Sequence, residues 1–148
     1  MMEKYLLDTN ICIYFLKDLY GVPERIKAIG HKKCCISDIT LAELYYGASN
    51  SGQKEQKMRG VKAIEKYFTV ISIQNALECF GDSKTALKKQ GKLVDDFDLL
   101  IGSTAVACRS HMIDHLYRFS EISACRLLHW SRAGGALRND FHSVSSGQ

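Results

Sequence analysis

Long apolar runs are absent from this sequence. No stretch approaches the roughly 20 consecutive apolar residues of a transmembrane helix. Residues 1–5 lead straight into a strand-like segment, without the apolar core of a secretory signal peptide. Because neither targeting feature is present, we expect a cytoplasmic protein.

Cysteine motifs and a strong charge of one sign are also absent. None of the 6 cysteines forms a Cys-x-x-Cys pair or part of a compact disulfide framework, so we expect buried free thiols. With 20 Lys and Arg against 16 Asp and Glu, the net charge of +4 does not by itself indicate a nucleic-acid-binding protein.

The 148 residues do contain enough apolar material, 46% of the chain, for one hydrophobic core. Short apolar runs alternate with stretches of helical spacing. We expect strands at 4–7, 34–36, 70–73, 112–113 and 126–128, and helices at 11–15, 23–29, 39–46, 54–68, 75–90 and 97–109. This alternation predicts a parallel α/β sheet with helices on both faces.

The last part of the chain has a different composition. From Ser131 onward Ser, Gly, Arg and Asn dominate, and the periodicity of helices and strands is lost. We therefore expect one domain over 1–130 and a disordered or loosely docked tail over 131–148.

Three acidic residues occupy unusual places in this pattern. Asp8 directly follows the first strand, where side chains of a parallel α/β sheet reach the ligand-binding crevice. Glu43 interrupts a segment otherwise fit for a buried helix. Asp98 lies in the first turn of a helix, and its neighbours three and four positions later, Ile101 and Gly102, are apolar and small, which suggests that it faces the protein. Taken singly, they also fit a helix cap, the wet edge of a helix and a surface acid favoured by the helix dipole. Together they predict a cluster of carboxylates whose mutual repulsion is relieved by binding Mg²⁺ or Mn²⁺.

Three motifs carry a family resemblance: YLLDTNICIY at 5–14, ITLAELYYG at 39–47 and DFDLLIGSTA at 96–105. Together they resemble the successive motifs of VapC-type PIN-domain ribonuclease toxins. The resemblance implies a three-layer α/β/α sandwich around a central parallel sheet. It also implies a Mg²⁺- or Mn²⁺-dependent endoribonuclease that acts as the toxin of a type II toxin–antitoxin system, with RNA as substrate, a cognate antitoxin as partner and a homodimer as assembly.

Carried over by motif position, the resemblance makes Asp8, Glu43 and Asp98 the catalytic metal ligands. The implied reaction is hydrolysis in which a metal activates water, so no Ser or Cys nucleophile is needed. Thr9 and Asn10 are expected to orient the first helical turn and Asp8.

The fourth motif of the family is altered in this sequence. Ile113 stands where Thr is common, and His115 stands where Asn or Asp is common. Asp114, one residue earlier, is the candidate that completes the catalytic site. If neither Asp114 nor His115 serves, the alternative function is a catalytically impaired PIN-like module that binds RNA or an antitoxin.

One basic surface has two interpretations. Lys84, Lys88 and Lys92 recur at helical spacing just before the third motif. They either hold RNA phosphates through charge or form a solvated helix face.

Overall fold

The computed structural model describes residues 4–108 together with the backbone of 111–113 and 119–121. Its strands are β1 (Tyr5–Leu7), β2 (Cys34–Ser37), β3 (Thr69–Ile71), β4 (His111–Ile113) and β5 (Phe119–Glu121). Its α-helices are α1 (Thr9–Leu16), α2 (Val22–Ile29), α3 (Asp38–Ser49), α4 (Lys54–Tyr67), α5 (Leu77–Lys89) and α6 (Asp96–Ala107). Within these residues, no helix is both long and apolar enough to cross a membrane.

One sheet of 5 strands, in the order β3-β2-β1-β4-β5, runs through the described residues. Strands β1 to β4 are parallel to one another, and β5 runs antiparallel along β4. Tyr5 of the central strand is in register with Cys34 on one side and His111 on the other. The predicted parallel α/β sheet is confirmed, with β5 as an antiparallel edge strand that the sequence pattern did not predict.

Leu6 and Leu7 show how the sheet acquires a hydrophobic core on each face. Adjacent residues of a strand point to opposite faces, and these two fully buried leucines belong to different hydrophobic clusters. Leu7 packs with residues of α1, α2, α3 and α4, whereas Leu6 packs with residues of α5 and α6. The helical layers on the two faces confirm the three-layer α/β/α sandwich.

Several element boundaries differ from the sequence-based prediction. Gly47 does not end α3, which continues to Ser49. A glycine within a helix costs only about 1 kcal/mol relative to alanine, and Ala48, which follows Gly47, is buried in the same core cluster as residues of α4. The strand predicted at 70–73 ends at Ile71, because a 3₁₀ helix begins at Ile73. The strand predicted at 126–128 and the tail at 131–148 lie outside the described residues.

The cysteines of the described residues are free thiols, as expected. Cys12, Cys34 and Cys35 are buried, and Cys79 and Cys108 are partly buried. Burial raises the pKa of Cys34 to about 11. A thiol with such a pKa stays neutral at physiological pH and behaves as a small apolar side chain.

Candidate active site

Two strand–helix junctions lie side by side at the carboxyl edge of the sheet. Asp8 follows β1 and caps α1, because its carboxylate accepts a 2.8 Å hydrogen bond from the amide of Ile11. Ser37 ends β2 and caps α3, because its hydroxyl accepts a 3.1 Å hydrogen bond from the amide of Thr40. Since β1 and β2 are neighbouring parallel strands, both helices begin at the same edge, where ligands bind in folds of this class.

Glu43 reaches from α3 to the start of α1. Its Oε1 accepts a 2.6 Å hydrogen bond from the hydroxyl of Thr9, the first residue of α1. Both side chains are partly buried. This contact joins residues 34 positions apart and brings the acid of the second motif to the residue that follows Asp8.

The pKa of Glu43 is raised above its ordinary value. Burial is the largest cause, and the hydrogen bond from Thr9 acts in the opposite direction. The negative charges of Asp98, Asp95 and Asp8 raise this pKa further. Like charges disfavour ionisation of a carboxyl group when they lie near it. The acids of the first and third motifs therefore lie near enough to affect the ionisation of Glu43, the acid of the second motif.

Asp98 lies half-buried in the first turn of α6. The helix is capped by Asp95, whose carboxylate accepts hydrogen bonds from the amides of Phe97 at 3.0 Å and Asp98 at 3.3 Å. From the sequence alone, Asp95 and Asp96 either help to recruit a metal or belong to a solvated loop. Asp95 is instead the N-cap of α6, a typical role for an aspartate directly before a helical segment.

Lys84 connects α5 to the beginning of α6. Its Nζ lies 2.9 Å from Oδ1 and 3.0 Å from Oδ2 of Asp96. Both side chains are more than half exposed, so the pair contributes at most about 1 kcal/mol of stability. Lys84 would have to leave Asp96 to bind a phosphate, which favours the solvated-face interpretation for this member of the predicted lysine stripe.

Asp8, Glu43 and Asp98 fit a divalent cation by their chemistry, because carboxylate oxygens are the ligands that Mg²⁺ and Mn²⁺ prefer. Their arrangement is looser than a finished site. Among the described residues, no three His, Cys, Asp or Glu side chains lie close enough together to form a ready-made metal site. Asp8 and Glu43 instead accept hydrogen bonds from α1. Asp114 and His115 lie outside the described residues.

Known proteins are similar to this sequence over most of its length. Residues 5–116 match the family described as PIN domain. Ribonuclease VapC2 of Haemophilus influenzae is 34% identical over 134 residues, which cover 87% of this chain and 99% of that protein. The tRNA(fMet)-specific endonuclease VapC of Shigella flexneri is 32% identical over 133 residues, covering 88% of this chain and 100% of that protein.

Solved structures of similar proteins share the fold. DNA-bound VapBC from Salmonella typhimurium aligns with a TM-score of 0.73 and 28% identity, over 82% of this chain and 96% of that chain. VapBC2 from Rickettsia felis, bound to a promoter DNA fragment, aligns with a TM-score of 0.67 and 29% identity, over 73% of this chain and 84% of that chain. The matched family span includes all three acidic motifs. This chain therefore belongs to the PIN-domain family and, within it, to the VapC ribonucleases.

Proposed function

We propose that this protein is a Mg²⁺- or Mn²⁺-dependent endoribonuclease that acts as the toxin of a type II toxin–antitoxin system. The observation that carries the proposal is the hydrogen bond from Thr9 to Glu43, which places the acid of the second motif next to the Asp8 junction at the carboxyl edge of the sheet. The charges of Asp98, Asp95 and Asp8 raise the pKa of Glu43, and perturbed carboxyl groups are concentrated at functional sites. The similarity to proteins named as VapC ribonucleases extends over nearly their whole length and supports the same function.

In this proposal Asp8, Glu43 and Asp98 hold the cation, and Asp114 is a further catalytic residue. When bound, the cation supplies a polarised water as nucleophile and neutralises negative charge on the scissile phosphate and the leaving oxygen. The chain itself holds each carboxylate on a regular element, at the starts of α1 and α6 and within α3. Side chains on regular elements keep their positions better than side chains on loops.

The helix N-termini at this edge also suit an anionic substrate. Helices α1 and α3 begin next to each other, at Thr9 and Asp38. The N-terminus of a helix carries a partial positive charge, which stabilises nearby carboxylates and phosphates. This charge moderates the repulsion among the acids before a cation binds.

Asp98→Asn tests the proposed site. Asparagine keeps the size of the side chain but removes its charge, so Mn²⁺ affinity and RNA cleavage should both fall. Loss of a ligand should cost at least the roughly 10- to 100-fold in affinity that loss of an outer-sphere partner costs. Calorimetry and an RNA cleavage assay give the two readouts, and circular dichroism checks the fold. Asp82→Asn, on the exposed surface of α5, is the matched control. Parental cleavage by folded Asp98→Asn protein would refute the assignment.

We also propose RNA as the substrate, a cognate antitoxin as the partner and a homodimer as the assembly. The structural neighbours from Salmonella typhimurium and Rickettsia felis are named as VapBC assemblies, which supports an antitoxin partner. Expression of the parent chain alone should arrest bacterial growth, and expression of Asp98→Asn should not. Light scattering after size-exclusion chromatography measures the oligomeric state directly.

A binding module without catalysis is the second candidate. It is favoured by the altered fourth motif, in which Ile113 and His115 stand where other residues are common in the family. It predicts that the protein binds RNA equally well with EDTA or Mn²⁺ and cleaves it in neither. The nuclease proposal predicts cleavage that begins only when Mn²⁺ or Mg²⁺ is added.

A further inference from the structure

A chain of hydroxyl groups leads from the end of β2 to Glu43. The Ser37 hydroxyl donates a 3.4 Å hydrogen bond to Oγ1 of Thr40, and Oγ1 of Thr40 lies 3.5 Å from Oγ1 of Thr9. The Thr9 hydroxyl donates to Oε1 of Glu43 at 2.6 Å. Ser37 and Thr40 are fully buried. The chain therefore connects the protein interior to a carboxylate at the edge of the sheet.

The Thr9 hydroxyl has two possible acceptors, Glu43 and Thr40. A threonine hydroxyl has a single hydrogen, and a carboxylate 2.6 Å away attracts it more strongly than a neutral hydroxyl 3.5 Å away. The Thr9 hydrogen is thus directed mainly at Glu43, and the 3.5 Å contact from Thr9 to Oγ1 of Thr40 is the weaker of the two. Oγ1 of Thr9 donates to the acid and lies against Oγ1 of the buried Thr40, and these two contacts fix its orientation.

We propose that Thr9 is a positioning residue that holds the Glu43 carboxylate in place for the cation. This inference rests on the proposed nuclease function. It differs from the sequence-based expectation that Thr9 orients Asp8. The Asp8 carboxylate is held by the backbone amide of Ile11, whereas the Thr9 side chain contacts the acid of the second motif.

Glu43 needs such a contact for a physical reason. Its side chain has three rotatable torsions, and the nearby charges of Asp98, Asp95 and Asp8 repel its carboxylate. Without a donor from the protein, that carboxylate would rotate toward solvent and would have to be ordered again when a cation binds. The Thr9 hydrogen bond opposes the repulsion and orders the ligand beforehand.

The test uses the full chain and Mn²⁺ alone, measured by calorimetry without RNA. Thr9→Val keeps the shape of the side chain but has no hydroxyl, so it should weaken Mn²⁺ binding by about 10- to 100-fold. Thr9→Ser retains the hydroxyl and should stay within about 3-fold of the parent, since the donated hydrogen bond is preserved. Thr85→Val is the matched control, because its hydroxyl donates a 2.9 Å hydrogen bond within α5, to the carbonyl of Gly81. It should bind Mn²⁺ like the parent.

Glu43→Gln separates this inference from the proposed function. If Glu43→Gln binds Mn²⁺ as the parent does, Glu43 is not a ligand and the proposed site is wrong. If Glu43→Gln weakens binding but Thr9→Val does not, the site stands and the positioning role is overturned. The double variant with Thr9→Val and Glu43→Gln tests whether Thr9 acts through Glu43. If it does, Thr9→Val has a smaller effect on Mn²⁺ affinity once Glu43 is replaced. An undiminished effect of Thr9→Val in that background would also overturn the inference. Thr9→Ala replaces Thr9→Val if circular dichroism shows that the valine variant is unfolded.

Discussion

In the proposed site, Glu43 has two requirements that conflict before a cation binds. To bind a cation it must be ionised and held close to other acids, yet burial and the charges of Asp98, Asp95 and Asp8 oppose its ionisation. The free energy of this repulsion is stored in the folded protein, because the acids separate when the chain unfolds. Functional sites that hold like charges together lower the stability of the fold. Removal of the Glu43 charge should therefore stabilise the protein.

Glu43→Gln should therefore raise the melting temperature at pH 7 in the presence of EDTA. The pKa of Glu43 is higher in the folded than in the unfolded chain, so stability falls as pH rises from the ordinary pKa of 4.5 through the folded pKa. Glutamine has no charge and can still accept a hydrogen bond from Thr9. Glu43 is only partly buried and solvent screens part of the effect, so we expect a gain of about 1–3 °C.

Two comparisons check the cause of that gain. At pH 4 the parent Glu43 is mostly protonated, so the difference between the proteins should nearly vanish. Glu78→Gln removes an exposed carboxylate from the first turn of α5, where a negative charge is favoured, and should not increase stability. A melting temperature of Glu43→Gln at or below that of the parent at pH 7 would contradict the explanation.

The roles of single residues were predictable where they depend on local sequence. Asp8 follows a strand and precedes a helix, and its capping role needs only the next three residues. The contact between Thr9 and Glu43 was not predictable in this way. It depends on the register of β1 against β2, which pairs Tyr5 with Cys34, and on the direction in which α3 leaves the sheet. Neither quantity can be read from residue spacing.

At the scale of elements, the junction between β2 and α3 both connects the two elements and caps the helix that holds Glu43. Ser37 caps α3, and the same helix holds Glu43 and packs against α4. Ser37→Ala leaves the buried amide of Thr40 without this partner. The loss of an N-cap with a buried donor should lower the free energy of unfolding by about 1–2 kcal/mol, measured by urea titration.

Ser72→Ala is the matched control for Ser37→Ala. Ser72 caps the 3₁₀ helix Ile73–Ala76 through a 3.2 Å hydrogen bond from the amide of Gln74, but it is exposed to solvent. Water replaces the lost partner there, so the cost should stay below about 0.5 kcal/mol. Equal costs for the two serines would show that burial of the α3 cap is not what makes it important.

Most elements were predictable because each has its own hydrophobic period and end signals. Pro23, for example, marks the start of α2, and Gly30 marks its end. The 3₁₀ helix after β3 was missed, because its apolar residue Ile73 continues the strand pattern of Val70 and Ile71. The edge strand β5 was also missed, since its three residues form a strand by pairing with β4 and carry no pattern of their own.

At the scale of the whole molecule, the sheet divides the hydrophobic core into two clusters. β2 shows the division within a few residues: Cys34 and Ile36 belong to the cluster with α1 to α4, and Cys35 belongs to the cluster with α5 and α6. Sequence periodicity predicts such a division for any sheet covered on both faces. It does not predict whether the two clusters contribute independently to stability.

Ile36→Val and Ile101→Val test that independence. Ile36 is 0% exposed in one cluster and Ile101 is 2% exposed in the other. Each substitution removes one buried methylene and should lower the free energy of unfolding by about 0.5–1.5 kcal/mol in a urea titration. Because the sheet lies between the two sites, the double variant should lose the sum of the two costs to within about 0.5 kcal/mol. Leu93→Ala, at a fully exposed position, should leave the free energy unchanged. If the Ile36→Val and Ile101→Val double variant deviates from the sum by more than about 0.5 kcal/mol, the sheet transmits packing changes from one layer to the other. The description of two independent clusters would then be wrong.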